Sequence, residues 1–167
     1  MNIPNFFLLV TAFILGGCSF NQDKVIANLD FSRIERVRDT PVYDLYFSAD
    51  TDILGSYKSR VGEKLMCALA DDVDFNLNHR MKYFAQGAVA RDKTQPGFKF
   101  VSQIIFNESI SAGASERALG TSELKGLLSN KEYVACRFLV SATMTSTYFS
   151  NVMYVPVVKI QEAMGGR

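Results

Sequence analysis

The chain has 167 residues, 48% apolar and 21% charged, a length and composition that fit one globular domain and exclude a disordered chain. Its 18 Lys and Arg stand against 17 Asp and Glu, so there is no clustered cationic excess to release counterions from a polyanion, and no nucleic-acid partner is expected. With 13 Phe and 7 Tyr against 11 Gly and 4 Pro, the chain has ample material for a core and is neither collagen-like nor low-complexity.

Residues 1–17 carry no charged side chain, and Phe6 to Leu15 form an apolar run broken only by Thr11. About ten residues are too few to cross a bilayer, which takes about 20, but they have the length of a signal-peptide core. The run closes on small residues, Gly16 and Gly17, and Cys18 follows at once. Leu15-Gly16-Gly17-Cys18 resembles the lipobox of bacterial lipoproteins. That resemblance implies cleavage before Cys18, acylation of its sulfur and of the new amine, and attachment to a membrane through lipid. Ser19 in the second mature position resembles the sorting signal for the outer membrane. Two or three acyl chains hold stably where one is marginal, since each buried methylene contributes about 0.8 kcal/mol. The implied organisation is a signal peptide over 1–17, a lipidated tether over 18–40 and a globular domain over 41–167, held at the outer membrane and facing the periplasm.

If Cys18 carries lipid, Cys67 and Cys136 are the remaining pair. An oxidising compartment favours a disulfide between them, closing a loop of about 70 residues, and two separate buried thiols are the alternative.

From Ser19 to about Thr40 the chain reads as a tether with a short helix, because Arg33 to Asp39 alternates charge sign and Ser32 with Glu35 fits a capping box. After Pro41, Val42 to Phe47 alternates as an aromatic-rich strand. Ile53, Leu54, Tyr57, Val61, Leu65, Met66 and Leu69 recur at helical spacing, which predicts one long amphipathic helix from Asp52 to Ala70 bearing Cys67. The period returns to two at Val73, Phe75 and Leu77, and Met81 to Ala90 is strand-like. Lys93 to Gly97 is a turn, and Phe98 to Asn107, apolar on both faces, is a central strand. Asn107 to Gly120 reads as a long loop and Ser122 to Leu128 as a short helix. Tyr133 to Tyr148 and Val152 to Ile160 read as two strands joined by a hairpin at Phe149 to Asn151, with Pro156 forcing an edge or a bulge. The expected fold class is α+β, a single two-layer domain of mainly antiparallel sheet with one long amphipathic helix on one face. In that arrangement a Cys67–Cys136 bond would staple helix to sheet.

Few constellations carry chemistry. The one histidine, His79, allows no multi-histidine metal site, and without a Gly-x-Ser-x-Gly elbow it reads as a surface residue near a turn. Asp72-x-Asp74-x-Asn76-x-Asn78 resembles the opening of an EF-hand loop but has Leu77 where Gly is needed and Tyr83 where the bidentate Glu is needed, so it reads as the polar face of a strand. No metal or other cofactor is expected. Thr51-Asp52-x-x-Gly55-Ser56 resembles a fragment of the peptidoglycan-binding motif of outer-membrane-protein-A-like domains, which implies a ligand-binding role for Thr51 and Asp52 at a helix start. A helix cap explains the same residues. Ser141, Thr143, Thr145 and Thr147 form a hydroxyl stripe with Tyr148 and Tyr154 nearby, either an exposed sheet face or a docking surface. The expected function is a non-enzymatic binding or structural role in the cell envelope, with the membrane contacted by lipid and an envelope protein as partner. Peptidoglycan binding through Thr51 and Asp52 is one alternative, and an envelope hydrolase or hydrolase inhibitor is another.

Overall fold

A computed structural model describes residues 25–55, 60–76, 79–110, 115–142 and 147–165. Their elements are β1 (Leu29–Arg36), β2 (Val42–Ala49), β3 (Arg60–Ala68), β4 (Tyr83–Arg91), β5 (Lys99–Ile110), β6 (Ser115–Ala118), α1 (Thr121–Leu128), β7 (Tyr133–Ala142), β8 (Thr147–Phe149), β9 (Met153–Pro156) and α2 (Val157–Gly165). The strands form one antiparallel sheet in the order β1-β2-β5-β4-β3-β7-β8, with β6 added to β5 and β9 to β7. The sheet curls into a half-barrel.

Alternation builds the concave face. Tyr43, Leu45 and Phe47 of β2 lie opposite Ile104, Ser102 and Phe100 of β5, and Leu65 and Cys67 of β3 lie opposite Phe138 and Cys136 of β7, all buried. Phe47 and Phe100 stack with centroids 5.7 Å apart, and Tyr43 meets Phe106 edge-on at 5.0 Å. The two short helices close this face. Leu124 and Leu128 come from α1, and Val157, Ile160 and Met164 from α2. Each such side chain contributes about 1.5–3 kcal/mol on burial.

Two devices bend the sheet. The β1–β2 register shifts between Phe31 and Arg33, a bulge that adds local twist. At Gly87 on β4, a Cβ would stand 2.0 Å from the Gln103 carbonyl oxygen on β5, so only glycine admits that approach of the two backbones. The open edges then approach each other. The amide of Ile26 donates to the carbonyl of Phe149 at 2.9 Å, that of Asn151 to Ala27 at 2.9 Å, and that of Leu29 to Asn151 Oδ1 at 2.7 Å. The segment before β1 therefore pairs alongside the chain that links β8 to β9.

Several sequence expectations are corrected here. The long helix of 52–70 is absent: Ile53 to Gly55 form a turn and Arg60–Ala68 is a strand. Leu65 and Leu69, four residues apart, fit a period of 3.6 as well as one of two, whereas buried Cys67 between them fits only the period of two, and long-range pairing with both β4 and β7 fixes the strand. The fold class of sheet plus one long helix is replaced by a curled sheet carrying two short helices. The tether and short helix expected up to Thr40 give way to β1, because Ala27, Leu29 and Ile34 bury their side chains in the core. Residues 72–76 have no regular structure, instead of forming a strand. Part of the long loop, Ser115–Ala118, adds a strand to β5. The hairpin expected at Phe149 to Asn151 is instead a break within the partner strand of β7, since β8 and β9 both pair with β7. Pro156 ends β9, and Val157 to Gly165, half expected as strand, is helical because Val157, Ile160 and Met164 share one buried face. The strand over Val42 to Phe47, the central β5 and the short α1 agree with expectation.

Candidate functional site

Cys67 and Cys136 are directly opposite each other on β3 and β7, with Cα atoms 4.0 Å apart, and form a disulfide. The bond staples two neighbouring strands, not helix to sheet as the helical reading implied. Both cysteines are buried, so the sulfurs are shielded from exchange partners in solution.

The most elaborated surface lies on the convex face. Met66 of β3 opposes Gln86 of β4, and Lys64 opposes Ala88, so Lys64 and Gln86 are diagonal neighbours. Lys64 Nζ donates to Gln86 Oε1 at 3.2 Å, and Gln86 Nε2 donates to the Glu116 carboxylate on β6 at 3.3 and 3.4 Å. A neutral amide thus bridges a cation and an anion. Beside this relay a cavity of about 180 Å³ opens over Met66, Phe84 and Leu139 and is walled by Asn76, His79, Arg80 and Met81.

That wall is tied down by polar contacts. Phe75 and Met81 pack with Ala68 and Phe84 in a second apolar cluster outside the main core. His79 Nε2 meets Asp72 at 2.6 Å, and Nδ1 lies 3.9 Å from Asp74. The hydrogen bond to Asp72 raises the imidazole above its ordinary value, partial desolvation opposes this, and the charges of Asp72 and Asp74 add to it. The bond to Asp72 makes His79 a clasp for its loop, while Asp74 stands beyond hydrogen-bond reach of Nδ1. Asp72 and Asp74 are spent on that clasp and on turns, Asp74 accepting from the Asn76 amide at 2.9 Å and its side chain at 2.6 Å. Among the described residues no group of three His, Cys, Asp or Glu side chains is arranged to hold a metal.

Thr51 and Asp52 do not open a helix. Asp52 Oδ1 accepts from the amides of Leu54 at 3.2 Å and Gly55 at 3.1 Å and pairs with Arg91 Nη2 at 2.5 Å. Burial raises its carboxyl, and the Arg91 hydrogen bond with the two turn amides overrides this and holds it below the usual range. The helix start on which the peptidoglycan-binding resemblance depended is therefore missing. Ser141 and Thr147 face each other across β7 and β8, their hydroxyls 3.4 Å apart, while Thr143 and Thr145 lie outside the described residues, as does Cys18. Ser141 and Thr147 thus stand on two paired strands and not on one.

A wider groove of about 680 Å³ lies between the β1–β2 turn and α2, but charges line it and pair among themselves: Arg33 with Glu35 at 2.9 Å and Lys159 with Glu162 at 2.8 Å. The cleft at Lys64, Gln86 and Glu116 instead joins opposite charges to an apolar floor. Its volume falls below the roughly 300–1,000 Å³ of drug-sized sites and suits one side chain or a small zwitterionic group. Nothing local in the sequence marks these three residues, because strand pairing alone brings them together. No protein-family model, curated protein or solved structure matches this chain.

Proposed function

We propose that this is an exported, lipid-anchored envelope lipoprotein that works by binding, with the Lys64–Gln86–Glu116 cleft as the docking point for a side chain of an envelope protein. The observation that carries the reading is the buried Cys67–Cys136 bond. A disulfide of this kind belongs to an oxidising compartment, and the lipobox-like Leu15 to Cys18 supplies a route there. Several polar groups are engaged in holding structure: Asp52 with Arg91, Asp72 with His79, and, on β5, α1 and β6, Glu108 and Glu123 with Arg117. This inventory favours recognition over turnover.

Intact mass of the membrane-extracted protein, without reduction and after thiol alkylation, tests the export half of the proposal. The expected product is residues 18–167 with three acyl chains and no alkylated thiol; an uncleaved, thiol-reactive chain overturns it. A photo-crosslinking residue in place of Ser109, at the cleft rim, tests the binding half in whole cells. It should give an adduct of one defined mass that Gln86→Trp, which fills the cleft, removes. An adduct indifferent to Gln86→Trp, or none, refutes the cleft as the docking point.

A further inference from the structure

We infer that the tip of the β4–β5 turn, with Phe98 flanked by Lys93 and Lys99, is a second and reversible contact with the membrane that orients the domain beneath its lipid anchor. The inference rests on the proposed lipidation of Cys18 and adds a lipid-facing surface to it.

Chain length sets the first constraint. Seven residue steps separate Cys18 from Val25, where the described structure begins, and a fully extended chain spans at most about 3.3–3.6 Å per residue, so Val25 lies within about 25 Å of the lipid attachment. The domain is thus kept near the bilayer whichever way it turns.

Topology decides which end is nearer. Val25 bridges Phe149, and the chain runs from there into Leu29, which opposes Ala49 at the end of β2. At that end the amide of Ala49 donates to the carbonyl of Phe98 at 3.0 Å, the amide of Asp50 to Asn28 at 3.1 Å, and the amide of Asn28 to Asp50 Oδ1 at 2.9 Å. The entry of the chain and the β4–β5 turn therefore occupy one end of the half-barrel. The cleft at Gln86 and Glu116 lies further along the strands, toward the other end, beside the β5–β6 pairing of Ser109 with Glu116. An anchor at one end leaves that cleft free to meet a partner.

Surface chemistry supplies the third argument. Phe98, just before β5, is 41% exposed, its ring open to water on one side and 6.0 Å from Arg91 Cζ on the other. Among the described residues Lys93 and Lys99 have no ion pair. Three neighbouring carboxylates, by contrast, are engaged locally, the exposed Asp50 by the backbone and side-chain amides of Asn28. Asp52 pairs with Arg91, and Asp92, itself buried, accepts from the Thr94 amide at 2.9 Å and hydroxyl at 2.6 Å. An aromatic ring between lysines suits the boundary of an anionic bilayer, whose negative surface potential attracts basic side chains. That is weak alone, and sufficient to orient a domain already held by acyl chains.

The chain contains no Trp, so Phe98→Trp creates a single reporter at this tip, and Tyr154→Trp, 61% exposed on β9, serves as a comparison away from it. The lipidated full-length protein is reconstituted into phosphatidylethanolamine vesicles with and without phosphatidylglycerol, some carrying brominated acyl chains. Residue 98 should shift its emission to the blue and be quenched by the brominated lipid, more strongly with phosphatidylglycerol, while residue 154 stays unquenched. Lys93→Glu with Lys99→Glu should return residue 98 toward the emission of the lipid-free protein. Equal quenching at both positions, or none at 98 in protein whose mass confirms acylation, overturns the inference while leaving the lipoprotein proposal standing. A mass without acyl chains overturns the anchoring proposal itself and, with it, this orientation.

Discussion

Replacing Cys67 and Cys136 together by alanine removes a cross-link between residues 69 apart in sequence. On the loop-entropy relation a closure of that length withholds about 4 kcal/mol of conformational freedom from the unfolded chain. Both sulfurs are buried, so their loss also leaves small unfilled volumes, and the entropic figure is a lower bound. Against a total stability of about 5–15 kcal/mol for a domain of this size, the variant keeps only part of its margin. With a urea dependence of about 2 kcal/mol per molar, the unfolding midpoint should fall by about 2 M. Circular dichroism in urea, on the oxidised protein, on the double variant and on wild-type protein reduced in denaturant and then refolded, measures this directly. The latter two should resemble each other. A midpoint shift below about 0.5 M would refute the reasoning, because it would mean that the bond does not form or that the unfolded chain is already constrained there.

Other predictions follow from single groups. His79, the one histidine in the chain, should titrate by NMR above its ordinary 6.5, and Asp72→Asn should move it back toward that value. Because the folded value is raised, the clasp contributes fully below about pH 6.5 and is lost as pH rises through the folded value, so loss of stability on acidification through this residue would contradict the assignment. Gly87→Ala should destabilise by about 2 kcal/mol or more, since the new Cβ would meet backbone 2.0 Å away, whereas Gly126→Ala on α1, with nothing within 4 Å, should stabilise by up to about 1 kcal/mol. Thermal melts read both, and a shared sign would disprove the local argument. Ser102 Oγ is buried without a hydrogen-bond partner among the described residues, so Ser102→Ala should leave stability unchanged or raise it by up to about 1 kcal/mol, and a clear loss in chemical denaturation would reveal a partner.

The candidate cleft shows why sequence reading reached some features and not others. The sequence reads His79 as a surface residue, and its bond to Asp72, seven positions away, is a local contact that the reading does not name. Lys64, Gln86 and Glu116 were not legible as a group, because they meet through the β3–β4, β4–β5 and β5–β6 registers, and their separations in sequence are 22 and 30 residues. Lys64 falls within the helix expected from Asp52 to Ala70, and Thr51 and Asp52 stand at its start. Once Arg60–Ala68 pairs as a strand, both readings fall together.

What the sequence determined by itself was whatever short-range chemistry controls. The alternation of Val42 to Phe47, the apolar run that makes β5 central, and the short α1 all follow from side-chain period and nearby turn residues. Tertiary structure decided whether Leu65 and Leu69 would serve a helix or a strand, since their spacing satisfies both periods and the partners on β4 and β7, with Cys67 buried between them, select the strand. It likewise decided that the chain from Leu29 joins the sheet, and that Pro156 closes a strand before a helix. Burial against residues distant in the chain outweighs local propensity there, because a half-barrel completes its core only when its first and last segments meet.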